Sequence, residues 1–91
     1  MRMPSTEKLL AFQLAARTGS FKDAAQLLHI TPSAVGARVQ SLERQLGIQL
    51  FHRGIRRITL TDAGCAYAAE IEGIFEDLRA VTRELRLRFA T

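Results

Sequence analysis

Three arginines, Arg53, Arg56 and Arg57, crowd around Gly54. Upstream of them the run "ITPSAVGARVQ" from Ile30 to Gln40 carries two hydroxyls, at Thr31 and Ser33, and almost no side-chain bulk. These residues suit recognition rather than bond making. Guanidinium groups pair with phosphate oxygens. Hydroxyls donate to phosphates or base edges, and small side chains let a backbone approach another molecule closely. Covalent and metal chemistry find little support beside them. Cys65 is the single cysteine, which excludes an internal disulfide and any multi-cysteine zinc site. A thiolate near a helix start could act as a redox sensor, but with no second cysteine Cys65 is expected to be a small apolar filler. His29 and His52 lie far apart in sequence with no acid or thiol at ligand spacing. No serine, histidine and acid arrangement suggests hydrolysis. The chain is expected not to be an enzyme, with no catalytic residue, no metal ligand and no cofactor.

The charge is uneven. Residues 1–61 hold nine Lys/Arg against three acids, a net of +6, whereas residues 62–91 hold four Arg against six acids, a net of −2. A basic region confined to the first two thirds of the chain fits a polyanionic partner for that part. Ninety-one residues with 47% hydrophobic content make one small folded domain, or a domain plus an extension, in which a partner subunit would reinforce a marginal core. No run approaches the ~18 apolar residues of a membrane span, and the start "MRMPSTEK" lacks the apolar stretch of a secretory signal. A cytoplasmic location with no membrane partner is expected.

Positioning these groups requires helices. The first is expected from about Ser5 to Arg17, ended by Gly19. In "SFKD", Ser20 caps a short second helix over Phe21–Leu28 with an acid three residues on. Thr31 caps a third helix and Pro32 fits its first position. Val35, Val39, Leu42 and Leu46 form its buried stripe, and Gly47 stops it. Two short helices joined by a tight connection make a helix-turn-helix. The period then changes. "IQLFHRGIRRITL" implies a hairpin with a basic tip, its strands near Leu50–His52 and Arg57–Leu60.

Thr61 caps a last helix from Asp62 to about Phe89, roughly 42 Å long at 1.5 Å per residue. Tyr67, Ile71, Ile74, Leu78, Val81 and Leu85 recur along it at spacings of 4, 3, 4, 3 and 4. That is a coiled-coil stripe, which a second copy of the chain would cover. These six residues are the expected dimer interface. The organisation is therefore a mainly α winged helix-turn-helix over residues 1–61, three helices plus a two-stranded β wing, followed by a linker and dimerisation helix over 62–91.

With the apolar stripe of the third helix inward, Ser33, Ala37, Gln40 and Arg44 face outward and Gly36 lies on the flank. A glycine there costs the helix about 1 kcal/mol relative to alanine; the functional reason for it is close approach of a partner. The plainer reading is any small three-helix domain with a flawed helix, and the basic hairpin and skewed charge weigh against it. The expected DNA contacts are Ser20 and Lys22 at the start of the second helix; Thr31, Pro32, Ser33, Gly36, Ala37, Arg38 and Gln40 on the third; and Arg53, Arg56 and Arg57 at the wing. An arginine at such a tip can enter a narrow A·T-rich minor groove.

"TGSFKDAAQLLHIT", "SAV" followed by "VQSLERQLGIQLF", and "R…LTDAG" together resemble the N-terminal DNA-binding domain of LysR-type transcriptional regulators, over about residues 8–64. The resemblance implies that Thr31, Pro32, Ser33, Gly36 and Ala37 fall on recognition-helix contact positions, Arg53 and Arg56 on the wing, and Tyr67 through Leu85 on a dimerising linker helix. Two departures stand out. Gly36 and Ala37 occupy places where the family commonly has a serine and then an arginine or histidine, so direct base readout is expected to be poorer, with Arg38 reaching phosphate instead. The family also continues into a ligand-binding domain of two α/β lobes, for which this sequence has no counterpart; a fragment is the favoured explanation over a short natural protein. A small-molecule effector enters only with such a domain. The expected function is a homodimeric, sequence-specific operator-binding module. The alternatives are a truncated module that pairs with a full-length relative and a non-specific nucleoid binder.

Overall fold

The computed structural model describes residues 2–55 and 57–90. Four helices and a two-stranded sheet follow in the order α1 (Thr6–Thr18), α2 (Phe21–Leu28), α3 (Pro32–Leu46), β1 (Phe51–Arg53), β2 (Ile58–Leu60) and α4 (Asp62–Phe89). Each helix starts on the hydroxyl expected of it. Ser5, Ser20, Thr31 and Thr61 accept hydrogen bonds from the backbone N–H groups of Lys8, Asp23, Ala34 and Gly64. Each of these satisfies a donor that helix geometry would otherwise leave unpaired. Gly19 and Gly47 end α1 and α3 in the left-handed region, both at φ 70°, where glycine pays no Cβ penalty. The α2–α3 turn lacks that relief: His29 itself adopts φ 57°, and its N–H bonds back to Gln26.

The sheet is antiparallel, pairing Phe51 with Leu60, His52 with Thr59 and Arg53 with Ile58. The first strand lies one residue later than the sequence pattern suggests. Beside it, the Leu50 N–H donates to the Glu43 carboxylate at 2.8 Å, while the Leu50 carbonyl still accepts from Thr61 N–H across the sheet at 3.0 Å.

One core joins all the elements. Phe12 of α1 meets the ring of Phe51 at 5.6 Å and that of Tyr67 at 5.7 Å, and Phe21 of α2 meets Phe51 at 5.9 Å. Aromatic pairs at these separations add to their area burial. Val35, Val39 and Leu42 are fully buried beneath α3, with Leu46 half-buried at the end of the stripe. The core does not stop at Thr61. Ile71 is 5% exposed, and Tyr67, Ala68 and Phe75 pack around it. Glu72 accepts from the amide of the buried Gln13 and pairs with Arg17 at 3.0 Å, tying α4 to α1.

Gly64 explains how α4 docks so closely. A Cβ there would stand 2.1 Å from the Leu50 carbonyl oxygen, so only glycine fits. Its neighbour Cys65 is exposed. The expectation of a buried apolar filler is corrected: the helix turns the bare Cα of residue 64 to the sheet, which leaves residue 65 facing outward.

Candidate nucleic-acid interface

The helical period of α3 divides its surface into four strips. Val35, Val39 and Leu42 point into the core. Opposite them Ser33, Ala37, Gln40 and Arg44 form an exposed outer strip, led by the exposed Thr31 and Pro32 at the amino end. Thr31 Oγ1 accepts from Ala34 N–H and lies 3.5 Å from Ser33 Oγ, so the two hydroxyls present one small polar surface. On one flank, Gly36 faces the α2 side: a Cβ there would meet the Phe21 ring at 3.7 Å, an ordinary contact. Its missing side chain therefore lies toward Phe21 rather than on the outer strip. The other flank carries Arg38, half-buried and 3.4 Å from Glu7 of α1.

The wing stands beside this strip, and Glu43 holds it there. Its carboxylate Oε2 accepts from the N–H groups of Leu50 (2.8 Å) and Phe51 (3.2 Å), while Oε1 accepts from the Arg53 guanidinium at 2.8 Å. Burial pushes the Glu43 carboxyl pKa up, but the Arg53 hydrogen bond, the two backbone N–H bonds and the Arg53 charge outweigh it and hold it below the usual carboxylate range. A buried carboxylate thus exists because every oxygen has a donor. Glu43 was missed as a structural residue in the sequence reading. The available signal was its place on the helix beside Leu42 and four residues after Val39, too near the core stripe for a solvated acid.

Arg53 was expected at the tip. It sits instead at the end of β1, paired with Glu43 and 5.8 Å from the Phe21 ring centroid. Its side chain is already engaged, so its first role is to fix the wing against α2 and α3. Arg57 is exposed, with its carbonyl accepting from Gly54 N–H at 2.9 Å to close the turn. Arg56 lies outside the described residues. Ser20, Lys22, Arg53, Ile55 and Arg57 line a cleft of about 370 Å³ between the start of α2 and the wing. Within it Ser20 has its hydroxyl committed as the α2 cap, accepting from Asp23 N–H at 3.1 Å, whereas Lys22 is exposed.

The α4 stripe also separates. Tyr67 and Ile71 belong to the chain's own core, while Ile74, Leu78, Val81 and Leu85 are exposed. Among the described residues no group of three or more His, Cys, Asp or Glu could hold a metal ion, and no helix is long and apolar enough to cross a membrane.

A helix-turn-helix with an outward second helix and an adjoining basic wing defines a DNA-binding module. The model of the bacterial regulatory helix-turn-helix proteins, lysR family, matches residues 6–65. The chain is 42% identical over 89 residues to the glycine cleavage system transcriptional activator of Escherichia coli (strain K12), covering 98% of this chain and 29% of that protein. Among solved structures it is similar to the CbnR_DBD–DNA complex, with TM-score 0.80 and 30% identity over 92% of this chain and 97% of that one. It is likewise similar to the BenM_DBD/catB site 1 DNA complex, with TM-score 0.83 and 26% identity over 96% of this chain and 98% of that one. The chain belongs to the lysR family: it is a winged helix-turn-helix DNA-binding domain of the LysR type, with its linker helix. It spans under a third of the length of the Escherichia coli relative, 29%.

Proposed function

We propose that the chain binds operator DNA as a homodimer in the bacterial cytoplasm, each α3 in a major groove and each wing at the adjacent minor groove. The observation that carries this reading is the exposed strip Thr31, Pro32, Ser33, Ala37 and Gln40, backed by a fully buried stripe and flanked by Lys22 and Arg57. A helix about 10–12 Å across fits a major groove about 12 Å wide. The similar CbnR_DBD and BenM_DBD were solved as complexes with DNA, which supports DNA as the partner here. Small side chains on the strip favour contact with thymine methyls and phosphates over bidentate base reading, so backbone contacts supply most of the affinity. Neutralising roughly 7–11 phosphates gives a log–log salt slope of roughly −6 to −10 for the dimer.

The exposed residues Ile74, Leu78, Val81 and Leu85 form the seam of that dimer. Along α4 five of the six acids (Asp62, Glu70, Glu72, Glu76 and Asp77) precede the bases Arg79, Arg83, Arg86 and Arg88, and Glu84 alone lies among the bases. An antiparallel pair sets unlike charges opposite each other, and a parallel pair sets like charges together. This supports two copies of the chain running in opposite directions. A small-molecule effector belongs to this function only if a further domain accompanies the chain.

Selection of bound duplexes from a random pool tests the reading. One enriched motif with two-fold symmetry is the expected outcome. Equal recovery of all sequences would indicate a non-specific binder instead, and failure to recover any duplex would leave the chain as a protein-interaction module.

A further inference from the structure

The wing accounts for cations on one flank of α3 only. On the other flank, Arg2, Lys8, Ser41, Arg44 and Gln45 line a groove of about 470 Å³ between α3 and the start of α1. Gln45 organises it: its Oε1 accepts from Lys8 Nζ at 3.3 Å and its Nε2 donates to the Arg2 carbonyl at 3.1 Å. No acidic side chain lines the groove. Among the described residues, Arg2, Lys8 and Arg44 form no ion pair, and the neighbouring Glu7 pairs with Arg38. Three cationic residues with no ion-pair partner among the described residues therefore line one groove, and Arg44 stands on the same outer strip as Ser33, Ala37 and Gln40.

We propose that Arg2, Lys8 and Arg44 form a second phosphate-contact site, which holds the DNA strand on the side of α3 away from the wing. The inference rests on the DNA-binding reading above and adds residues to it. Its reason is geometric. A helix that fills a major groove has a phosphate wall on each flank. Lys22 and Arg57 serve the wing-side wall; the groove at the start of α1 serves the other. Gln45 anchors Lys8 without neutralising it, so the groove keeps its positive charge for an anion. These contacts carry no sequence information, so they strengthen binding to every duplex alike.

The test is salt-dependent fluorescence anisotropy with a labelled mixed-sequence duplex of about 40 base pairs, comparing the parent chain with Lys8→Gln/Arg44→Gln. The expected result is a salt slope shallower by about 1.8 per bound protomer, since each lost phosphate contact removes about 0.9. The pair Lys8→Arg/Arg44→Lys keeps the parent slope, and both variants keep the parent thermal melting curve. A slope unchanged in the glutamine variant but reduced by Arg57→Ala overturns the second site while leaving DNA binding intact. An unchanged slope with a shifted dimer dissociation constant by sedimentation also overturns it, because the groove would then serve the acidic part of a second copy's α4. No binding by the parent chain overturns the DNA-binding reading itself.

Discussion

The two halves of α4 carry the same apolar repeat and meet different fates. In the first half, Gly64 accepts the Leu50 carbonyl at its bare Cα, Tyr67 stacks on Phe12 and Ile71 is 5% exposed. In the second half, Ile74 is 65% exposed, and Leu78, Val81 and Leu85 stand in solvent with it. A heptad spacing states that a helix has a side to cover. It does not state what covers it. Here one uninterrupted stripe is shared between the chain's own core and, by our reading, a second copy.

Charge substitutions break this comparison most severely. Ile71→Asp places a carboxylate in the core with no donor, at a cost of several kcal/mol to a small domain whose whole stability is about 5–10 kcal/mol. Circular dichroism should show an unfolded or strongly destabilised chain. Leu78→Asp, one heptad later, should leave the melting of the module's own core in place and convert the dimer to monomer in sedimentation. If Leu78→Asp leaves the dimer unchanged, the seam lies elsewhere.

Alanine at two glycines of α4 sharpens the same contrast. Gly64→Ala drives a methyl into the backbone of Leu50 and should lower stability by about 3 kcal/mol. Gly73→Ala meets nothing within 4 Å and should raise it by about 0.5–1 kcal/mol through helix propensity. Opposite signs in thermal unfolding are the expected result; a loss at both positions would mean that the docking of α4 is misjudged.

The wing gives a pH test of intermediate size. The Glu43 carboxyl is held below its ordinary value of 4.5, so its ionised form favours the folded state. That contribution is complete above the ordinary carboxylate range and is lost as pH falls through the lower folded value. Glu43→Gln should cost about 1–3 kcal/mol at neutral pH, because its one amide oxygen can serve either Arg53 or the two backbone N–H groups that share Oε2, and not both. It should also flatten the fall in stability with acid below about pH 4.5. A slope in that range as steep as the parent's would exclude Glu43 as a contributor.

The smallest effect belongs to Gly36→Ser. A Cβ at 3.7 Å from Phe21 is an ordinary contact, and serine is a better helix former than glycine, so stability should rise by a few tenths of a kcal/mol. Because that side chain points toward Phe21 and not onto the outer strip, the ratio of operator to random-duplex affinity should stay at the parent's value. A raised ratio would show that the added hydroxyl reaches the DNA.

Much of this architecture is legible in local sequence. Ser5, Ser20, Thr31 and Thr61 mark all four helix starts because a cap depends only on residues three positions apart. Gly19 and Gly47 mark two of the ends for the same reason, and Val35, Val39 and Leu42 show which side of α3 is inward. The candidate interface is legible as a strip but not as a set of working groups. Arg53 looks like a tip residue until Glu43, ten positions earlier, takes its charge. Gly36 looks like an opening to the outside until Phe21 turns out to face it. Gly64 passes as an unremarked helix residue until the Leu50 carbonyl is seen against it.

The amino-acid sequence by itself determined where the helices start, where the helices and the wing strands lie to within a residue, which face of α3 is small and polar, and that the basic charge is confined to the first two thirds. These follow from capping, periodicity and composition, all short-range properties of the chain. Only the tertiary structure decided how the α4 stripe is divided, which arginine is tied down, and that cations also gather at the start of α1 beside Arg44. Those outcomes depend on contacts between residues distant in the chain, whose distances no local pattern encodes.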